Sequence, residues 1–153
     1  MKLSKNFTLA EFTKSQTAIR RGIDNTPTPE HLINAGMLFA NIVQKVRNRF
    51  GPTVINSGYR GKALNEAVGG SARSQHCKGM AVDIEVPGVD NLELATWIYE
   101  NCEYDQLILE FYEDGIPDSG WIHVSYNSED PQRKSTLHAY KQNGKTVYSN
   151  WTP

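Results

Sequence analysis

Cysteine is scarce in this chain: only Cys77 and Cys102 occur among 153 residues, and they lack CxxC spacing. Two thiols are too few for a disulfide scaffold, so both read as ordinary side chains. Long apolar runs are missing as well. No stretch approaches the roughly 18–20 residues that span a bilayer, which excludes membrane insertion. The opening MKLSKNFTLAEFTKS has no apolar h-region and no small-residue cleavage site. The expectation is therefore cytoplasmic synthesis without a signal peptide. An excess of either charge is absent too: 16 basic and 17 acidic residues give a net charge of −1. That balance removes the basic footprint of a general nucleic-acid binder, although a local basic patch stays open.

What is present is ordinary globular material, with 39% hydrophobic and 22% charged residues. A chain of this size can bury a core without metal or disulfide staples. No repeat, low-complexity tract or linker interrupts it, so residues 1–153 read as a single domain.

Thr28 reads as an N-cap, with Pro29 at the first helical position. Leu32, Ala35, Phe39, Ile42, Val43, Val46 and Phe50 then follow at three- and four-residue spacing, and Gly51-Pro52 stops the helix. Residues 53–56 read as a short strand running into the turn Ser57-Gly58-Tyr59-Arg60. Residues 62–68 read as a short helix and 91–102 as a longer one. Residues 81–86 alternate, with Val82, Ile84 and Val86 on one face and Ala81, Asp83 and Glu85 on the other. Residues 106–111 and 121–125 are two further strands. Asn143-Gly144 marks a hairpin between residues 137–140 and 146–148. Helices first and hairpin-linked strands later give an α+β domain: an antiparallel sheet with helices packed on one side.

Four histidines occur. His31, in the first turn of a helix, and His138, in the last hairpin, read as solvated or packed side chains. His76 and His123 keep different company. Asp83 follows His76 by seven residues on a strand whose other face is apolar, and an unpaired carboxylate there is costly. His123 alternates with Ile122 and Val124, on a face shared with Trp121 and Ser125. Two histidines and a carboxylate from separate segments match a catalytic zinc site, which takes three protein ligands and leaves the fourth position to water. H-x6-D spacing alone is common in proteins and does not single out a metal.

The segments SGYR (57–60), SQHCKGMAVD (74–83) and WIHVS (121–125) together resemble the M15 zinc peptidases, which carry SGYR, SxHxxGxAxD and WxHxS-like motifs in this order. FTLAEF and RRGIDNTPTPEHL are similar to the opening of that family, and the resemblance covers about residues 7–126, closest to its small phage-type branch. It implies a Hedgehog/DD-peptidase-like fold, Zn2+ as cofactor, and hydrolysis of an amide bond in the peptidoglycan stem peptide. Both D-Ala-D-Ala carboxypeptidases and L-Ala-D-Glu endopeptidases belong to the family. Carried over, the resemblance makes His76, Asp83 and His123 the zinc ligands. It makes Arg60 the residue that holds the substrate carbonyl or carboxylate, and Ser74 a pocket serine.

One position departs from the pattern. Many M15 enzymes carry the general-base glutamate three residues before the last zinc histidine, where this chain has Gly120. Glu110 is the first substitute: if strand 106–111 pairs antiparallel with 121–125 and Glu110 stands opposite His123, both share a face. Asp118 is the second. A catalytically silent zinc-binding domain of the same fold is the alternative reading. Cys77, Trp97 and Trp151 are read as bystanders or packing residues. The expected partner is a peptidoglycan peptide, reached through a holin or from a virion, and the expected state is a monomer.

Overall fold

In the computed structural model, which describes residues 1–153, four elements precede the expected first helix. Strands β1 (Lys2–Ser4) and β2 (Phe7–Thr8) pair, and short helices α1 (Leu9–Thr13) and α2 (Gln16–Arg21) follow. Thr8 and Glu11 cap α1 reciprocally, and Ser15 caps α2. The sequence reading did not place these elements. Their function is to seat aromatic rings: Phe7 and Phe12 each meet Phe39 edge-on at 5.3 Å.

Thr28 Oγ1 accepts from the His31 N–H at 3.1 Å and starts α3 (Pro29–Leu38), as the capping residues imply. A wide π-helical turn over Phe39–Val43 then joins α3 to α4 (Gln44–Phe50). The buried positions explain that turn. Asn34, Leu38, Ile42 and Val46 are spaced by four, as are Ala35, Phe39 and Val43. At about 100° per residue, a four-residue step drifts roughly 40° around an α-helix each time. One extra residue in a wide turn returns the stripe to the core.

Strands β3 (Val54–Ser57), β4 (Ala81–Glu85), β5 (Gln106–Glu110), β6 (Trp121–Ser125), β7 (Ser135–Gln142) and β8 (Lys145–Asn150) form one six-stranded sheet. Its order is β3-β4-β6-β5-β7-β8. Helix α5 (Lys62–Ala67) and the 3-10 turn Gln75–Lys78 sit between β3 and β4, and α6 (Asn91–Asn101) lies between β4 and β5. Val82 and Ile84 of β4, Ile122 and Val124 of β6 and Leu107 and Leu109 of β5 are buried on one face. They share a core with Leu38, Ile42, Leu94 and Ile98 from the helices. Alternation sends Asp83, His123, Ile108 and Glu110 to the other face.

The sheet departs from the expected antiparallel arrangement at one seam, because β7 runs parallel to β5. The chain leaves β6, crosses the end of β5 through residues 126–134 and enters β7 in the same direction as β5. Asp105, fully buried, clasps that crossing. Its carboxylate accepts from Arg133 Nη2 at 2.7 Å, from the Arg133 backbone N–H at 2.9 Å and from Gln75 Nε2 at 2.8 Å. The hairpin after it matches the sequence reading, with Asn143 and Gly144 both at positive φ.

Burial works against the charge on Asp105, but the bonds from Arg133 and Gln75 prevail and hold its pKa below the usual carboxylate value. A depressed folded-state pKa contributes stability that is complete above the unfolded value near ~3.9 and is lost as pH falls through the folded value. Asp105→Asn is therefore expected to lower the unfolding free energy at pH 7 by about 2 kcal/mol, with the deficit shrinking below about pH 4. Urea titrations at both pH values measure this, and equal stability of the two proteins at pH 7 would contradict it.

Candidate metal centre and its cleft

The site begins where β3 ends. A bulge between Ile55 and Ser57 turns the strand out of register, and Gly58 follows. A β-carbon at Gly58 would lie 2.2 Å from the Phe12 carbonyl oxygen, so only glycine permits this approach of two backbones. The approach is sealed by the Tyr59 N–H donating to Phe12 O at 2.8 Å. It leaves the Gly58 carbonyl facing His76, whose Nδ1 lies 2.7 Å from that oxygen. A carbonyl there fixes the imidazole so that Nδ1 carries the proton and Nε2 is free to act as a donor toward a cation.

His76 sits in the 3-10 turn, which Ser74 caps by accepting from the His76 backbone N–H at 3.2 Å. Its Nε2 lies 3.4 Å from Asp83 Oδ1, and His123 Nδ1 lies 3.0 Å from the same oxygen. Asp83 and His123 are directly paired across β4 and β6, which places both side chains on the open face. The three donor atoms all fall within 4.8 Å of one another. Tetrahedral zinc with bonds of 2.0–2.1 Å needs ligand atoms about 3.3 Å apart, so the donor set and its spacing fit that ion.

Electrostatics agree with this fit. Burial pushes the His76 pKa down, against the pull of Asp83, so the ring is neutral as a metal ligand must be. Burial opposes the charge on Asp83, yet hydrogen bonding, first from His123, outweighs it and holds the carboxyl well below the usual range.

Around these three residues lies an open cleft of about 580 Å³, lined also by Arg60, Ser74 and Glu110. Arg60 is tied in place by its backbone N–H, which donates to His76 O at 3.1 Å. Its buried Nε has no acceptor. Glu110 is half-buried. Burial, with the negative Asp83 second, holds its pKa above the usual value.

Two expectations need correction. Glu110 does not stand opposite His123: Ile108 pairs with His123 and Glu110 with Trp121. The offset is two residues, so Glu110 keeps the face that a slip of one would have reversed. Asp118 does not reach the cleft. Its loop closes on itself, with Ser119 Oγ donating to Ile116 O at 2.7 Å, and Asp118 lines a separate groove with Val54, Glu85 and Pro117.

Gly120 explains both the register and the missing glutamate. It takes φ +65°, and a β-carbon there would lie 1.8 Å from the Glu110 carbonyl oxygen. The backbone of Gly120 thus packs directly on β5 beside Glu110, where no side chain fits. Strand β5 also ends one residue sooner than the sequence suggested, because Phe111 has φ 56°.

The remaining candidates fall outside the centre. His31 Nδ1 meets the Tyr59 hydroxyl at 2.9 Å, and His138 lies on β7 with its ring against Tyr140. Cys77 and Cys102 are free thiols outside the donor set, and burial pushes Cys102 up to about 11. Trp97 packs edge-on against Phe50 at 5.6 Å, and Trp151 is half-buried against the core. Sequence reasoning missed the Gly58 carbonyl and the Asp105 clasp. The first left a signal in the glycine itself, whereas the second left none.

Two histidines and an aspartate at the bottom of an open cleft, with a half-buried glutamate beside them, define a metallohydrolase type of centre on an α+β fold. The family model for Peptidase M15 matches residues 5–125, and the chain belongs to the Peptidase M15 family. Comparison with curated proteins gave no match. The match ends with β6, so β7 and β8 lie outside it.

Gly120→Ala is expected to cost about 2–4 kcal/mol of stability, since it combines a left-handed φ with a backbone clash. Thermal denaturation measures this, and a variant as stable as the parent would contradict the packing described.

Proposed function

We propose that this peptidase is zinc-dependent and hydrolyses an amide bond in the stem peptide of peptidoglycan. His76, Asp83 and His123 would hold the metal. Bound there, zinc would lower the pKa of a water to about 7 and polarise the scissile carbonyl. Glu110 is the general base of this reading, and its placement is the observation that carries it. It stands on the His123 face two residues along β5 from the position opposite His123, where diagonal neighbours have β-carbons roughly 7–8 Å apart and a glutamate would be within reach of a group held by the three donors. Its raised pKa suits a group that takes a proton from water and returns it to the leaving amine.

Arg60 supplies the complementary charge. The backbone of Arg60 belongs to the segment that orients His76, and its buried, unpaired Nε suits an acceptor such as a substrate carbonyl or carboxylate. A donor fixed before reaction stabilises developing negative charge without reorganisation. Ser74, whose hydroxyl caps the His76 turn, lines the same pocket. Gly120 suggests a silent metal domain, and a carboxylate from β5 in the cleft favours the catalytic reading.

His76→Ala is expected to lose bound zinc while retaining the fold, which metal analysis beside circular dichroism measures. Glu110→Gln should retain zinc and lose at least about 10²-fold in turnover. Mass spectrometry of purified peptidoglycan incubated with the protein, with and without a zinc chelator, reads the activity. Chelator-sensitive new peptide termini are expected, and they identify the bond. Intact stem peptides under both conditions would overturn the proposal.

A further inference from the structure

The hairpin formed by β7 and β8 lies beyond the residues that match the family, yet it reaches the cleft. Pairing registers define how. Glu110 is level with Trp121 on one side and with Ala139 on the other, and Ala139 is level with Tyr148. Trp121, Glu110, Ala139 and Tyr148 therefore form one row across four strands, and their side chains share the face that carries His123. Ala139 is small and fully buried, covered by its neighbours, so Glu110 and Tyr148 are the side chains of this row that reach the cleft from β5 and β8. Tyr148 lines the cleft although 54% of it is exposed, and its phenol is pushed up by burial and by the Glu110 charge. At about 4.8 Å per strand, its Cα lies roughly 10 Å from that of Glu110, a gap that a tyrosine leaning along the row closes for any ligand between them.

Tyr148 stands on the edge strand β8 and leaves its aromatic ring exposed at the rim of a polar cleft. The other end of the cleft differs in kind, carrying Gln75 and the ion pair of Arg133 with Asp105. The cleft is thus polar at one end and aromatic at the other.

We propose that Tyr148 is a substrate-binding residue: it closes the Glu110 end of the cleft and packs against the peptide segment on that side of the scissile bond. The proposal rests on the peptidase reading above. It makes the hairpin a specificity element, with ring packing as the main contact and the phenol as a polar tip toward the peptide backbone.

The test measures binding as well as turnover. Zinc-loaded Glu110→Gln protein and its Tyr148→Ala double variant are titrated with a stem peptide by calorimetry, and Tyr148→Ala and Tyr148→Phe are assayed in the otherwise native chain. Removing the ring is expected to weaken binding about tenfold, and to lower kcat/KM by a similar factor through KM. Tyr148→Phe should restore most of the loss. Ser149→Ala, on the opposite face of the same strand, should behave as the parent. Native cleavage with no change in affinity or KM on removing Tyr148 would overturn this inference alone. A loss in kcat with KM unmoved, or an equal loss in Ser149→Ala, would assign the hairpin a structural role and overturn it too. Absence of both cleavage and peptide binding in the native and Glu110→Gln proteins would overturn it together with the reading beneath it.

Discussion

Asp83 is the constraint on which the open face depends. A carboxylate on the surface of a sheet and screened from water is costly unless opposite charge or hydrogen bonds surround it. Here two imidazoles converge on one of its oxygens, at 3.4 and 3.0 Å, one from a turn and one from the neighbouring strand. Each imidazole is in turn held from outside: His76 by the Gly58 carbonyl, His123 by strict pairing with Asp83 across β4 and β6. The arrangement is pre-organised for a divalent cation, because the donors are placed by backbone and not by flexible side chains.

The second constraint is the contact between Gly120 and Glu110. One backbone excludes a side chain at residue 120, and the same contact accompanies the register that keeps Glu110 on the His123 face. The absence of a side chain at residue 120 and the facing of Glu110 toward the cleft are thus two results of one packing contact. Asp105 works similarly at the opposite end of β5. By gathering Gln75 and Arg133 it ties the turn of His76 to the crossing that brings β7 beside β5. Both ends of β5 are therefore anchored by groups that also shape the cleft.

Much of this was legible in the chain. The cap at Thr28, the alternation of residues 81–85 and the Asn143-Gly144 turn are local signals, and the structure follows them. The three donor residues were legible through motifs, although their spacing alone did not distinguish a metal site. What escaped was long-range. The parallel seam between β5 and β7 depends on where a crossing lands, and nothing within either strand encodes its neighbour. The π-helical turn was readable in principle from the four-residue spacing of Leu38, Ile42 and Val46, which an unbroken α-helix does not sustain. Thr8 and Glu11 form a capping box before a helix of five residues, too short for apolar periodicity to mark it in the sequence.

The central claim is that the metal is held by two imidazoles and one carboxylate, with an open position and no sulfur. Zinc-edge X-ray absorption of the zinc-loaded protein tests it most directly. The expected spectrum has four nitrogen or oxygen neighbours at about 2.0–2.1 Å, including the outer-shell signature of two imidazoles. A sulfur neighbour at about 2.3 Å would move the site toward Cys77 and contradict this assignment.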